Sequence, residues 1–189
     1  MNVYEQIPVF EGKNFCLRGI MPSDAEDLLQ VYSDEKAVPF FNSDNCHGDN
    51  FHYTTIECVH EAIRFWLWSY ENRYFVRWSI IKKKKGTAVG TIELFHRDSE
   101  LEDYDNSGLL RLDLRGDYEK ADVITEIWEL IQESTYELFE CDKIVTKVKP
   151  FADERIEAVT TMGFKQAHEV LIGDHGEELN DYYVLKKKV

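Results

Sequence analysis

Residues 108–126 read GLLRLDLRGDYEKADVITE. Leu112 and Leu114 alternate with Arg111 and Asp113, which is the period of a strand with two unlike faces. A polar break, RGDYEK, follows. Ile124, Ile127, Trp128, Ile131 and Leu138 then recur on one face of a helix over about 121–139. This stretch is a strand, a charged loop and a long helix, and the rest of the chain is read outward from it.

Upstream, 74–81 and 87–95 are rich in aromatic and β-branched residues and are joined by the polar turn 82–86, which predicts a hairpin. With 109–114 they form a meander interrupted by an acidic loop over 97–107. Further upstream, 15–20 reads as a strand, and Ser23 with Glu26 forms a capping box for a helix carrying Ala25, Leu28, Leu29 and Tyr32. That helix ends before Pro39. A loop rich in Asn, Asp and His covers 39–53. Thr54 or Thr55 then caps a second helix with Ile56, Val59, Ile63, Trp66, Leu67 and Tyr70 as its stripe. Downstream, 143–149 is a strand ended by Pro150. Asp153 caps a short helix that stops at Gly163. Two strands, 164–172 and 181–187, close the chain. The order β-α-α-β-β-β-α-β-α-β-β implies a mixed sheet with helices on both faces.

Over 189 residues, 36 acids against 22 bases leave a formal charge of −14. Such a surface repels phosphate backbones and argues against a nucleic-acid partner. Four isolated cysteines without CxxC, no apolar leader in the first 15 residues and no run of membrane-spanning length predict a reduced, cytoplasmic protein that does not enter a membrane. The length fits a single domain over 1–189.

The order and its residues resemble the GNAT acetyltransferase superfamily, and within it the group like the ribosomal-protein alanine N-acetyltransferases. LRGIMPSDAEDLLQVYSD (17–34), AVGTIELF (88–95), residues 108–126 and PFADERIEAVTTMGF (150–164) carry the likeness. The resemblance implies an α/β (α+β) fold with a largely antiparallel central sheet of about seven strands. It implies transfer of an acetyl group from acetyl-CoA to an amine, either a small molecule or a peptide N-terminus. The cofactor positions would be Leu112, Asp113, Leu114, Arg115, Gly116 and Lys120, with the pyrophosphate on backbone N–H groups at the helix N-terminus. A homodimer closing the splayed sheet is a further possibility.

The loop departs from the family pattern. Where a basic residue and two small ones are expected, this chain has Glu119, Asp122 and Ile124. Acids beside a pyrophosphate oppose its binding, so the alternative is a binding or regulatory module that has lost acetyl-CoA.

Two catalytic candidates stand out. Glu93, in a strand otherwise of core character, is a candidate base with a raised pKa. Of Tyr182 and Tyr183 in the last strand, Tyr183 is taken as the group supporting the leaving thiolate. Arg111 and Asp113 share a face and read as a surface pair. Cys46, His47, His52, Cys58 and His60 can bind zinc, but their spacing matches no closed site, and no metal is assigned. The same loop, with Phe40, Phe41, Asp44, Asp49 and Phe51, offers aromatic walls and acids for a cationic amine.

Overall fold

A computed structural model describes residues 2–188. Strands β1 (Phe10–Glu11), β2 (Phe15–Gly19), β3 (Val76–Lys82), β4 (Thr87–Arg97), β5 (Ser107–Leu114), β6 (Lys143–Lys147), β7 (Lys165–Gln166) and β10 (Tyr182–Lys186) form one sheet in the order β1-β2-β3-β4-β5-β6-β10-β7. β8 (Leu171–Ile172) and β9 (Glu178–Leu179) make a separate two-stranded ribbon. The helices are α1 (Ala25–Tyr32), α2 (Ile56–Glu71), α3 (Ala121–Leu138) and α4 (Asp153–Met162). Among the described residues no helix is long and apolar enough to cross a membrane.

Strand alternation sorts the two faces. Val76, Trp78, Ile80, Ile92, Leu94, Leu110, Leu112 and Leu114 pack with Ile124, Ile127 and Trp128 of α3 and Val159 of α4 in the main core. The opposite face of β3–β5 carries Arg77, Ser79, Thr91, Glu93 and Asp113. It is covered as well, because Tyr32 of α1 and Trp66 of α2 lie over it.

All sheet pairings are antiparallel except β5 with β6. That parallel pairing runs only from Ser107 opposite Lys143 to Leu110 opposite Thr146. β5 continues to Leu114 against β4, while β6 stays with β10 as far as Lys147. The sheet therefore forks after Leu110, leaving one edge of 111–114 without a strand neighbour among the described residues. Gly90 makes the β4 contact on the other edge, where an added Cβ would lie 2.2 Å from the Asp113 carbonyl oxygen.

Local expectations met four corrections. The Ser23/Glu26 box is absent; instead Asp24 accepts from the Met21 N–H at 3.0 Å and binds Arg18 and Ser79. Asp153 is the first residue of α4, and the cap position belongs to Ala152. The expected strand over 164–172 divides into β7 and β8, because only its ends find partners. β1 was too short to carry a pattern, and it raises the sheet to eight strands. Thr55 does cap α2, accepting from the Cys58 N–H at 3.4 Å.

Candidate active site

A charged network lies beneath α1 and α2. Arg77 donates from Nε and Nη2 to Glu93, and from Nη1 to Asp113 (3.0 Å), Thr91 (2.9 Å) and Tyr32 (3.0 Å). Its guanidinium sits 4.2 Å from the Trp66 ring centroid. Arg111 donates to the other Glu93 oxygen at 2.9 Å and to the Asp44 carbonyl at 2.8 Å. Burial alone would lower the Arg77 pKa, but Glu93, Tyr32 and Asp113 raise it. Burial also pushes Glu93 up, yet Arg77 and Arg111 outweigh it and hold the carboxyl below its ordinary range. For Tyr32, burial and Asp113 raise the pKa, so its hydroxyl stays a donor.

Next to this network is a cavity of about 730 Å³ between the sheet, α2, the 44–53 loop and the β8–β9 end. Phe51, Phe65, Trp66, Phe75 and Phe95 supply aromatic walls, and Asp49, Glu61 and Asp174 supply carboxylates. Its loop wall is held in unusual conformations: Asn45, His47 and Phe51 have φ of 58°, 53° and 61°. Left-handed backbone at non-glycine residues costs energy and gathers at binding sites. Among the described residues no group of three or more His, Cys, Asp or Glu side chains is placed to hold a metal ion.

Asp44 spans the fork. Its carboxylate accepts from Lys147 Nζ at 2.5 Å and from the Tyr182 hydroxyl at 3.0 Å, while its carbonyl accepts from Arg111. Arg111 and Lys147 are the first residues beyond the last β5–β6 pair. Burial and Asp44 raise the Tyr182 pKa, so this phenol too remains protonated.

Beyond the fork, the turn after β5 meets the start of α3. Its anion-binding groups already hold carboxylates. The Gly116 N–H donates to Asp34 at 2.9 Å. The Ala121 N–H donates to Glu154 at 2.7 Å, and Lys120 Nζ reaches the same carboxylate at 3.0 Å. Arg115 clasps Asp117 at 2.6 and 2.9 Å. Glu119 forms a buried ion pair with Arg155 of α4, which also donates to the Phe40 carbonyl at 3.0 Å.

A model of the acetyltransferase (GNAT) domain matches residues 14–165. The chain belongs to the GNAT acetyltransferase family. No curated protein sequence matches it. Solved GNAT structures share the fold at low identity. A GNAT-family acetyltransferase from Bacillus anthracis superposes with a TM-score of 0.69 at 11% identity, covering 95% of this chain and 98% of that one. A ribosomal-protein-S5-alanine acetyltransferase from Vibrio fischeri gives 0.66 at 14%, covering 94% of each chain. A ribosomal L7/L12 α-N-protein acetyltransferase solved in complex with coenzyme A gives 0.69 at 10%, covering 95% and 98%.

For a GNAT cofactor the residues are open at one end and internally paired at the other. The bare edge of β5 beyond Leu110, with Leu112, Asp113 and Leu114, suits an extended amide-bearing arm. At the other end, Arg115, Gly116 and Lys120 are paired with Asp117, Asp34 and Glu154, which a pyrophosphate would have to displace.

Three site expectations change. Glu93 is fully buried, with both oxygens bound by arginines, and its pKa is lowered; it anchors the network and is unsuited to be a base. Arg111 and Asp113 are both covered by the fold and are not paired with each other: Arg111 serves Glu93 and Asp113 serves Arg77. Tyr183 packs toward the main core, and Tyr182 is the tyrosine facing the cavity. Strand alternation required the two to diverge but could not say which way.

Sequence reasoning missed Arg77, Asp34 and Glu154. Arg77 had a signal, as a lone cation in the apolar run FVRWSII (75–81). Asp34 and Glu154 had none, because they act across 82 and 33 residues of sequence.

Proposed function

We propose that this GNAT protein is an N-acyltransferase that accepts an amine in the 730 Å³ cavity and uses acetyl-CoA as the acyl donor. The observation that supports this best is the fork. Arg111 and Tyr182 at the fork both line that cavity, and its aromatic walls and carboxylates suit an ammonium ion. The Tyr182 hydroxyl, which donates to Asp44 at the fork, would support a leaving thiolate by turning its O–H from that carboxylate. Glu93 has no free oxygen for proton removal, so that role passes to Asp49, Glu61 or Asp174 through water. The Arg77–Glu93–Arg111 set fixes the floor on which the amine rests.

A second reading is favoured by one observation. With Asp34 on the Gly116 N–H and Glu154 on the Ala121 N–H, the phosphate cradle is satisfied internally. In that reading the cleft is a binding module without acyl transfer. Release of free thiol from acetyl-CoA, followed with a panel of peptide and small-molecule amines, separates the two. Amine-dependent release supports the transferase. No release from folded protein at saturating acetyl-CoA supports the module.

A further inference from the structure

Of the three arginines that line the cavity, one is unanswered by an ion pair among the described residues, although Asp49, Glu61 and Asp174 line the cavity too. Arg77 and Arg111 are answered by Glu93 and Asp113, and Lys147 by Asp44. Arg97, at the end of β4, lines the same cavity but forms no ion pair among the described residues. Its Nε is buried without a partner, and so is the Nε of Arg111. Buried N–H donors are almost always matched. The unmet Arg97 N–H calls for an anionic group, and a carboxylate matches a guanidinium edge in shape and charge. The Arg111 N–H lies four strand residues away at the fork and is no part of that site.

Register gives the ligand's length. Glu93, Phe95 and Arg97 share one face of β4. Glu93 stands opposite Arg111 at the fork, and Arg97 stands opposite Ser107 at the closed end of the β5–β6 pairing. Four residues of strand separate the two positions by about 13 Å. Between them Phe95 and Leu109 face each other across the strands and form an apolar floor. A free α-amino acid, with amine and carboxylate on one carbon, is too short to span this. An extended tripeptide, at up to about 3.3–3.6 Å per residue, is long enough.

We propose that the acceptor carries its own carboxylate, held by Arg97 about three peptide units from the amine, with an apolar body between. The substrate class is a short peptide with both termini free, or an amine of that length and chemistry. This rests on reading the cavity as the acceptor pocket.

The test is calorimetric titration, without acetyl-CoA, of the tripeptide Gly-Phe-Gly and its C-terminal amide into wild type and Arg97→Gln. Arg97 has no ion-pair partner to lose, so the variant is expected to fold, and Arg97→Lys is carried alongside to keep the charge. The free acid should bind wild type roughly tenfold more tightly than the amide, the size of a hydrogen bond between charged groups. That gap should largely vanish in Arg97→Gln and survive in part in Arg97→Lys. Equal affinity for acid and amide, absence of binding by both, or an undiminished gap in Arg97→Gln would overturn the proposal. Arg97-dependent binding without acetyl transfer to the tripeptide would uphold it while defeating the transferase reading.

Discussion

Replacing Arg77 with Met removes the one cation shared by Glu93 and Asp113. The aliphatic stem and much of the volume remain, so the change is chiefly electrostatic. Glu93 keeps only Arg111, and Asp113 keeps only the Tyr32 hydroxyl. Breaking a buried ion pair from one side costs roughly 3–5 kcal/mol. For a chain of this length, where each kcal/mol moves Tm by about 2–4 °C, the loss at pH 7 is on the order of 10 °C. The pH dependence should also change sign. In the wild type Glu93 has a lowered pKa, so its contribution is full above the ordinary value of 4.5 and is lost as pH falls through the lower folded value. In the variant, burial opposed only by Arg111 raises the carboxyl, and proton uptake stabilises the fold as pH falls. Urea unfolding at pH 7 and pH 5 checks both points. The variant should recover part of its deficit at pH 5. A loss below about 1 kcal/mol at pH 7, or an equal loss at both pH values, would refute a network that depends on Arg77.

Other outcomes follow from single contacts. Tyr182→Phe should lower the acetyl-transfer rate about tenfold or more, as loss of a positioned proton donor does, while Tyr183→Phe should leave it near wild type; the reverse order in a thiol-release assay would contradict the assignment. Gly90→Ala should destabilise the protein by roughly 1–3 kcal/mol or more, because the new methyl meets backbone rather than a movable side chain. Thermal melts check it, and an unchanged Tm would contradict the close β4–β5 approach. Arg155→Ala leaves Glu119 buried without its cation and should likewise cost roughly 3–5 kcal/mol; Arg155→Ala with Glu119→Gln should recover part of that loss in a double-mutant cycle.

Much of the fold was readable from the chain because local signals agreed. The alternation in 109–114 and the stripe from Ile124 to Leu138 each had one interpretation, and Gly163 stops α4 with φ of 89°. The site was harder to read for a physical reason. Arg77, Glu93, Arg111 and Asp113 lie on the polar side of amphipathic strands, which ordinarily faces water. Here α1 and α2 cover that side, turning expected surface charges into a buried network. Sequence also located the acids of the loop after β5, but not their partners. Glu119, which looked like an obstacle to phosphate, instead clasps Arg155. The carboxylates that sit on the Gly116 and Ala121 N–H groups are Asp34 and Glu154, and both come from distant segments.

Acetyl-CoA binding is expected to turn on Asp34 and Glu154 at the Gly116 and Ala121 N–H groups. Titration calorimetry of acetyl-CoA into wild type and the double variant Asp34→Asn, Glu154→Gln tests it most directly. Each carboxylate removed takes away a like charge that a pyrophosphate at this turn would face. Wild type should bind weakly, and the double variant at least tenfold more tightly. Absence of binding by both proteins, or equally tight binding by both, would contradict it.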